Sequence, residues 1–301
     1  MQETQLPHHI SWLHFMNPSS EDLQTIRKHF PSIHPIVAEE LLVASERSKV
    51  ENFGEYLFTV YHLPIYNPIN KTSRRTEIDF IITHEAILTV SYERLDVLIE
   101  FKKDVENKKY GDILSTGIFL YHLLEKINQF SLRELHHIEK KVNAIGSSLF
   151  ASQNASLLEK ISYVRRDILE FSIIATPQKA IIESLIHEGK RFWGDDIHPY
   201  FSGILGDFLN IHYLFENLKE SIDSYSDTIT QMLQFRTSEI MRKLSIVSVL
   251  TFPLLLYSTV ALQPQVADAF IKNHIDFWIV FGVIAIITTF LAFLFKKKKW
   301  L

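Results

Sequence analysis

The stretch that decides the fold is DFLNIHYLFENLKESIDSYSDTITQMLQFRTSEIMRKLSIVSVLTF, residues 207–252. It contains neither proline nor glycine, so it can form one helix of about 45 residues. Its first part is rich in charged side chains, and no charged residue follows Lys243. The stretch therefore predicts a helix that begins in water and continues into a membrane.

Apolar residues follow this helix in alternating steps of four and three, the spacing of one buried helix face. They are Ile204, Phe208, Ile211, Phe215, Leu218, Ile222, Tyr225, Ile229 and Met232, and we call them the apolar seam. A helix of this length cannot bury the whole seam in a small domain of its own. The seam predicts packing against the two preceding helices or against copies of the same helix.

A second stripe has the same spacing and is mostly polar. It consists of Glu220, Ser224, Asp227, Gln231, Gln234, Ser238, Met241, Ser245, Ser248, Phe252, Leu255, Thr259 and Leu262, and we call it the polar stripe. A polar stripe is typical of a solvated helix face. Ser245 and Ser248 lie at membrane depth, where polar groups face either water or other protein. They favour a pore lined by several copies, or equally a hydrogen-bonded contact between helices.

Two segments are apolar and long enough to span a membrane, since about 20 helical residues cross a hydrocarbon core of about 30 Å. Leu244–Leu262 has no charged residue, and Ile275–Phe295 has one, Asp276, at its edge. The alternative, a buried hairpin of a soluble protein, fits the missing charges less well. We expect transmembrane helices at about 244–262 and 275–295, joined by an external loop at 263–274.

The chain ends in FKKKKWL, residues 295–301. Lysines beside a membrane helix favour the cytoplasmic side, so Lys296, Lys297, Lys298 and Lys299 predict a cytoplasmic tail at 296–301, with Trp300 as an interfacial anchor. Arg242 and Lys243 predict the same side for the N-terminal part. We therefore expect a multi-pass protein of the inner (plasma) membrane with both termini in the cytoplasm.

The part before the membrane segments has the composition of a cytoplasmic domain. The N-terminus lacks the pattern of a signal peptide, and the chain contains no cysteine, which excludes disulfides and cysteine-based metal sites. Residues 1–240 hold 24 basic and 33 acidic side chains, a formal charge of −9. This charge argues against nucleic acid as a partner and suits attraction of cations, although it is also common for a solvated surface.

The fold class predicted is an α+β cytoplasmic domain with a mixed sheet and helices, followed by a long stalk helix and two transmembrane helices. Residues 1–110 form an α/β domain, 111–199 a long helical hairpin, and 200–262 the stalk helix that becomes the first span. Predicted strands are Tyr56–Leu63, Glu77–His84 and Ala86–Tyr92; predicted helices in this domain are Glu21–His29 and Ile36–Ser45. The hairpin should part near SSLFASQNAS, residues 147–156, and kink or bend at Pro177.

Enzymatic chemistry is not predicted. The sequence has no P-loop, no nucleophile elbow and no dinucleotide fingerprint. Adjacent histidines such as His8–His9 and His136–His137 diverge by about 100° on a helix, so we interpret them as surface residues. The pairs Glu39–Glu40 and Glu183 with Glu188 lack converging geometry. We predict no catalytic residue and no cofactor apart from a divalent cation.

The stretch FRTSEIMRKLSIVSVLTFPLLLY, residues 235–257, resembles the stalk and first span of the CorA family of divalent metal cation transporters. The FKKKKWL ending is similar to the ending of that family, and 39–62 and 164–185 resemble its N-terminal domain and middle helices. The resemblance implies a funnel-shaped homopentamer in membrane lipids, in which the long helices surround the path of a divalent cation. It also implies that the four terminal lysines form a basic collar.

The resemblance assigns pore positions to Asp227, Gln231, Gln234, Ser238, Met241, Leu244, Ser248, Phe252, Leu255 and Thr259. Met241 and Leu244 match a hydrophobic constriction, and Asp227 matches an acid near the cytoplasmic mouth. The family's Gly-Met-Asn triplet at the outer mouth is absent, and Leu262, Gln263 and Pro264 stand in its place. Gln263 carries an amide, one position early, and is a candidate substitute for the asparagine.

A regulatory motif also differs from the family pattern. Where the family has Tyr-Phe-Arg-Asp, with an aspartate that helps bind regulatory Mg²⁺, this chain has Tyr200, Phe201, Ser202 and Gly203. Asp207 lies nearby and could compensate, although a capping or solvated role fits it better. The metal ligands are therefore unknown at this point.

Two functions of different class follow. The favoured one is a channel-like transporter that passes hydrated divalent cations, Mg²⁺ and also Co²⁺, Ni²⁺ or Zn²⁺, down their electrochemical gradient. The alternative is a CorA-scaffold membrane protein that has lost ordinary Mg²⁺ conduction and has a structural or regulatory role or passes another ion, for example Zn²⁺ as in ZntB-like proteins.

Overall fold

The computed structural model of this chain describes residues 2–67, 72–111, 113–149, 156–262 and 274–298. The strands are β1 (Gln2–Gln5), β2 (Ser11–Met16), β3 (Lys49–Asn52), β4 (Leu57–Asn67), β5 (Thr72–Ile82) and β6 (Ala86–Ser91). The α-helices are α1 (Ser20–His29), α2 (Pro35–Glu40), α3 (Asp96–Glu106), α4 (Thr116–Ser148), α5 (Ser156–Ala175), α6 (Gln178–Trp193), α7 (His198–Ala261) and α8 (His274–Lys297). Short 3₁₀ turns lie at Pro7–His9 and Asp195–Ile197. The chain divides into two compact units, Met1–Ser226 and Asp227–Leu301.

The first unit is built on one six-stranded sheet with the strand order β1-β2-β6-β5-β4-β3. Strands β2 and β6 are parallel and the other neighbours are antiparallel, so the predicted mixed sheet is confirmed. The three predicted strands correspond to β4, β5 and β6. Strands β1, β2 and β3 and helix α3 were not predicted.

Both faces of the sheet are buried. Successive side chains on a strand point to opposite faces, so one strand contributes to both cores. On β2, Leu13 and Phe15 belong to one apolar core, together with Ile26 of α1. Trp12 belongs to the other core, together with Phe101 of α3 and Phe119 of α4. The helices that follow the sheet thus complete one of the two cores of the first unit.

Helix α2 is shorter than the predicted helix Ile36–Ser45 and ends at Glu40. After Glu40 the α-helical bonding gives way to tighter turns, in which Leu42 donates to the Glu39 carbonyl at 3.1 Å and Val43 to that of Glu40 at 3.3 Å. The backbone N–H of Ser45 then donates to Oε1 of Glu77 at 2.9 Å, which ties this segment to β5. By contrast, α1 is close to its predicted bounds and begins with a capping box between Ser19 and Asp22.

A polar network is buried within the sheet. Nε2 of His62 lies 3.0 Å from Oε2 of Glu77 and 3.0 Å from the Ser45 carbonyl, and Tyr92 donates its hydroxyl to Asp79 at 2.7 Å. Burial raises the pKa of Asp79 well above its ordinary value, and the nearby Glu77 carboxyl raises it further. Asp79 therefore tends to stay protonated where an exposed aspartate would be ionised.

The helical region differs in detail from the predicted hairpin. The second predicted segment is divided into α5 and α6, and Pro177 lies between them, as expected for a bend. Helix α7 has 64 residues, close to the predicted stalk helix and first span at 200–262 and longer than the stretch 207–252 that lacks glycine and proline. It extends over Gly203 and Gly206 at one end and Pro253 at the other, because isolated glycines cost only about 1 kcal/mol each in a helix and a membrane helix can accommodate a proline.

Candidate ion pathway

In the first unit, the apolar seam of α7 packs against helices of the same chain. Phe208, Ile211, Phe215 and Ile222 are all buried. The ring of Phe215 stacks on Phe171 of α5 with centroids 5.8 Å apart. The predicted packing against preceding helices is therefore found for this part of the seam.

Polar contacts fix the same helix face. The side-chain amide of Asn128 in α4 donates to the carbonyl of Ile204 at 3.2 Å. The guanidinium of Arg165 in α5 donates to Asp223 from Nε at 3.0 Å and from Nη2 at 2.6 Å. Both contacts lie beside the seam, so they hold α7 in one rotation about its axis within the first unit.

The polar stripe lies away from the buried seam. Residues two positions apart on a helix differ by about 200° in direction, so Ser224 lies nearly opposite the buried Ile222. Every member of the stripe from Glu220 to Leu262 is exposed on the single chain, and Leu244 beside it is exposed too. The structure therefore leaves all ten predicted pore positions uncovered by their own chain.

In the second unit, α7 has one covered side. Ile246 and Tyr257 are buried, and the Tyr257 ring lies 6.0 Å from that of Phe281 in α8. These positions lie on a different side of α7 from Ser245, Ser248 and Phe252. Helix α8 consequently does not cover the stripe.

The hydroxyls at membrane depth are satisfied within α7 itself. Ser248 donates to the carbonyl of Leu244 at 3.0 Å, and Thr259 donates to that of Leu255 at 2.9 Å. Such bonds to the preceding turn use the hydroxyl hydrogen and leave the oxygen free to accept from water. Ser248 and Thr259 can therefore face either another copy of α7 or a hydrated ion.

The side chains of one chain do not assemble a metal centre. Within the described ranges, no group of three or more histidine, aspartate or glutamate side chains could hold a metal ion. Asp227 and Asp207 are each exposed. The suggested capping role of Asp207 is wrong, because α7 begins at His198 and Asp207 lies well inside it; the solvated role agrees with its exposure.

The predicted outer mouth and basic collar are described only in part. Leu262 follows α7 and is exposed, whereas Gln263 and Pro264 lie outside the described residues. Lys296 and Lys297 form the last turn of α8, and Lys298 follows them; all three are exposed. Lys299 and Trp300 lie outside the described residues.

The histidine pairs behave as separate surface residues. His136 contacts Glu139 at 2.8 Å, and its neighbour His137 stacks instead on Tyr66, with ring centroids 5.8 Å apart. His8 and His9 are exposed and have positive φ angles of 59° and 61°. Neither pair converges on a shared ligand position.

Two helices in the described part of the chain are long and apolar enough to cross a membrane. They are Asp195–Thr259 and Trp278–Lys297, and they overlap the segments 244–262 and 275–295 that the sequence predicted as spans.

Comparison with known proteins agrees with this architecture. The family model described as "CorA-like Mg2+ transporter protein" matches residues 7–297. The cobalt/magnesium transport protein CorA of Thermotoga maritima is 20% identical over 297 residues, which cover 97% of this chain and 83% of that protein.

Solved structures share the fold. The complete structure of the CorA magnesium transporter from Methanocaldococcus jannaschii matches with a TM-score of 0.81 at 18% identity, covering 97% of this chain and 92% of that chain. The cytoplasmic domain of ZntB from Vibrio parahaemolyticus matches with a TM-score of 0.63 at 12% identity, covering 77% and 91%. At these identities the likeness shows the fold alone.

Proposed function

Because this chain belongs to the family of CorA-like Mg²⁺ transporter proteins, we propose that it passes hydrated divalent cations through a homopentamer, along the polar stripe of α7. The observation that carries the proposal is the exposure of the whole stripe on the single chain, while the apolar seam of the first unit is buried on its own helices. A polar helix face at membrane depth needs water or protein beside it. Copies arranged around an axis supply both.

The stripe suits an ion that keeps its water. Mg²⁺ dehydrates reluctantly, so hydroxyl and amide groups that contact its water shell are more suitable than carboxylate cages. Gln231, Gln234 and Ser238 supply such groups, and each recurs once per copy. A membrane potential of 100 mV contributes about 4.6 kcal/mol to a doubly charged ion, so passive entry needs no other energy source.

Met241 and Leu244 form the proposed hydrophobic constriction. Both side chains are exposed on the single chain and lie between the polar part of the stripe and Ser248. A ring of such side chains closes a pore when water leaves it, and opens when the ring widens. The proposal therefore places the gate where the stripe first becomes apolar.

The orientation is part of the same proposal. The lysines at the end of α8 favour the cytoplasmic side of the inner (plasma) membrane, so both termini lie in the cytoplasm and the loop at 263–274 lies outside. Trypsin added to sealed vesicles of known sidedness tests this: cleavage at the lysine tail from the outer face would contradict it.

The chain lacks cysteine, which allows a direct test of the stripe. Single cysteines replace Ser238, on the stripe, and Thr237, an exposed hydroxyl residue about 100° away on the same helix. Divalent-cation flux into liposomes is measured before and after a positively charged methanethiosulfonate reagent. We expect loss of flux for Ser238→Cys and little change for Thr237→Cys; equal responses would refute the lining assigned to the stripe.

Flux of Mg²⁺, Co²⁺, Ni²⁺ and Zn²⁺, with monovalent controls, identifies the ion. Replacement of Gln263 by alanine tests the proposed substitute for the missing asparagine: unchanged uptake would exclude it.

The large size of the side chains in the outer half of the stripe favours the second candidate function, a scaffold without ordinary Mg²⁺ conduction. Phe252 and Leu255 are 64% and 63% exposed, and both project large apolar side chains where the stripe crosses the membrane. Intact oligomers that pass none of the ions tested would support this alternative. Flux restored by Phe252→Ser in such a protein would assign the block to this ring.

A further inference from the structure

A groove of about 630 Å³ lies between α3 and the edge strands β1 and β2, in the first unit. Its floor is formed by alternate residues of β2, namely Trp12, His14 and Met16, and its wall by one face of α3. A cavity of this volume is in the range that holds small organic ligands. None of its residues belongs to the polar stripe, so the groove is independent of the ion pathway.

The groove is basic although the domain around it is acidic. Arg94, Lys102 and Lys103 line it, and among the described residues Glu106 is the one acidic side chain of the lining. Lys102 is 3.9 Å from Glu106, whereas Arg94 and Lys103 have no ion-pair partner in the part of the chain that the structure describes. The three cations outnumber the one carboxylate, and this excess of positive charge along the wall attracts an anion.

His14 adds a hydrogen-bond acceptor. Its Nδ1 lies 3.2 Å from the carbonyl oxygen of Thr89 and 3.0 Å from the Thr89 hydroxyl. A carbonyl oxygen can only accept, so Nδ1 carries the proton and Nε2 has a lone pair. Within the described ranges, Nε2 has no hydrogen-bond partner.

His14 stays neutral at physiological pH. Burial is the main cause that lowers its pKa to about 4; the hydrogen bond to the Thr89 carbonyl opposes this shift, and the positive charge of Lys102 adds to it. The groove thus offers cations on one side and a neutral acceptor on its floor. A ligand that satisfies both carries an anionic group and a hydroxyl or amine donor.

The charges on the wall indicate which kind of anion the groove binds. Three cations and one carboxylate leave a formal charge of +2, and a phosphate monoester carries about −1.5 to −2 at neutral pH. The apolar side chains Leu95, Leu98 and Ile99 lie along the same wall and can cover an uncharged part of the ligand. A group with two negative charges balances this excess better than a single carboxylate does.

We propose that this groove binds a hydroxyl-bearing phosphate monoester of the size of a nucleoside monophosphate. Its phosphate lies at Lys102 and Lys103, and a hydroxyl donates to Nε2 of His14. We assign no chemical reaction to the groove, only binding. This proposal does not depend on the proposed ion transport.

Isothermal titration of the full-length chain in detergent with AMP, adenosine and inorganic phosphate tests the ligand class. We expect AMP to bind, and adenosine and phosphate each to bind at least tenfold more weakly. Adenosine lacks the anionic phosphate, and inorganic phosphate lacks the ribose hydroxyls and the uncharged base. Raised salt should weaken AMP binding. Absence of AMP binding at millimolar concentration, or equal binding of adenosine, overturns the proposal.

Matched variants locate the site. Lys102→Gln combined with Lys103→Gln should raise the Kd for AMP at least tenfold, and His14→Phe should raise it several-fold. Lys28→Gln, the single-charge control for Lys103→Gln, removes one charge from an exposed lysine of α1 and should leave the Kd within twofold. Lys103 is exposed and forms no ion pair within the described ranges, so Lys103→Gln alone keeps the fold and should still weaken binding. Equal Kd values for Lys28→Gln and the double variant would place AMP elsewhere and refute the assignment.

Discussion

Replacing Gly117 by alanine should destabilise the first unit, because the space for one methyl group is already occupied. A Cβ at this position would lie 2.9 Å from Cδ1 of Ile197 and 3.0 Å from Cδ2 of Trp193. The Trp193 ring cannot turn away freely, since its Nε1–H donates to the hydroxyl of Thr116 at 3.0 Å. Overpacking of this kind costs about 1–3 kcal/mol.

Gly203→Ala is the matched control. Gly203 is also helical, in α7, and nothing lies within 4 Å of the position of its Cβ. Alanine is favoured over glycine in a helix by up to about 1 kcal/mol, and that gain applies to both variants. Their stabilities should therefore differ by about 1–3 kcal/mol, the cost of overpacking alone.

Thermal unfolding of the full-length protein, followed by tryptophan fluorescence, measures the difference. One kcal/mol corresponds to about 2–4 °C in Tm for a domain of about 150–250 residues. The Tm of Gly117→Ala should lie below that of Gly203→Ala by several degrees. Equal Tm values would show that Trp193 and Ile197 can move aside. They would refute the close packing of Gly117 in α4 against Trp193 and the 3₁₀ turn Asp195–Ile197.

Two further predictions concern the first unit. Asp79→Asn should flatten the pH dependence of the free energy of unfolding. A carboxyl group whose pKa is raised in the folded state stabilises the fold fully below its unfolded pKa of 3.8, and this stabilisation is lost as the pH rises through the folded pKa. Chemical unfolding at pH 4.5 and 7 should show the wild type losing more stability over this interval than the variant, and parallel curves would contradict the raised pKa. Phe215→Ala should cost about 3–5 kcal/mol, since the ring is 1% exposed, whereas Tyr213→Ala, at a site 66% exposed, should cost less than about 1 kcal/mol. Equal losses in the same unfolding assay would contradict packing of the seam on α5.

The long helix and its two faces could be predicted because their periodicity is local. Steps of four and three identify a helix face without knowledge of its partner. The seam at Phe215 and the stripe at Ser238 could therefore both be identified from the sequence. The predicted stalk and first span, 200–262, lie close to the observed bounds of α7, His198–Ala261, whereas the stretch free of glycine and proline, 207–252, is shorter because the helix continues through isolated glycines and a proline.

The sheet was only half predicted, for a different reason. Strands β4, β5 and β6 contain apolar runs that indicate strands by composition. Strand β1, with the sequence QETQ, and strand β3, with KVEN, are short and polar, and they form by pairing with neighbours rather than by local preference. Residues distant in sequence meet through the parallel pairing of β2 and β6, so Trp12 and Lys102 line one groove that no local pattern indicated.

The two outermost strands have a consequence for self-assembly. Both β1 and β3 have four residues, and Lys49 of β3 is held by Glu40 and Glu51. Long, apolar edge strands pair readily with strands of other molecules, whereas short edge strands with charged side chains do not. Copies of this chain are thus discouraged from joining their sheets edge to edge into fibrils.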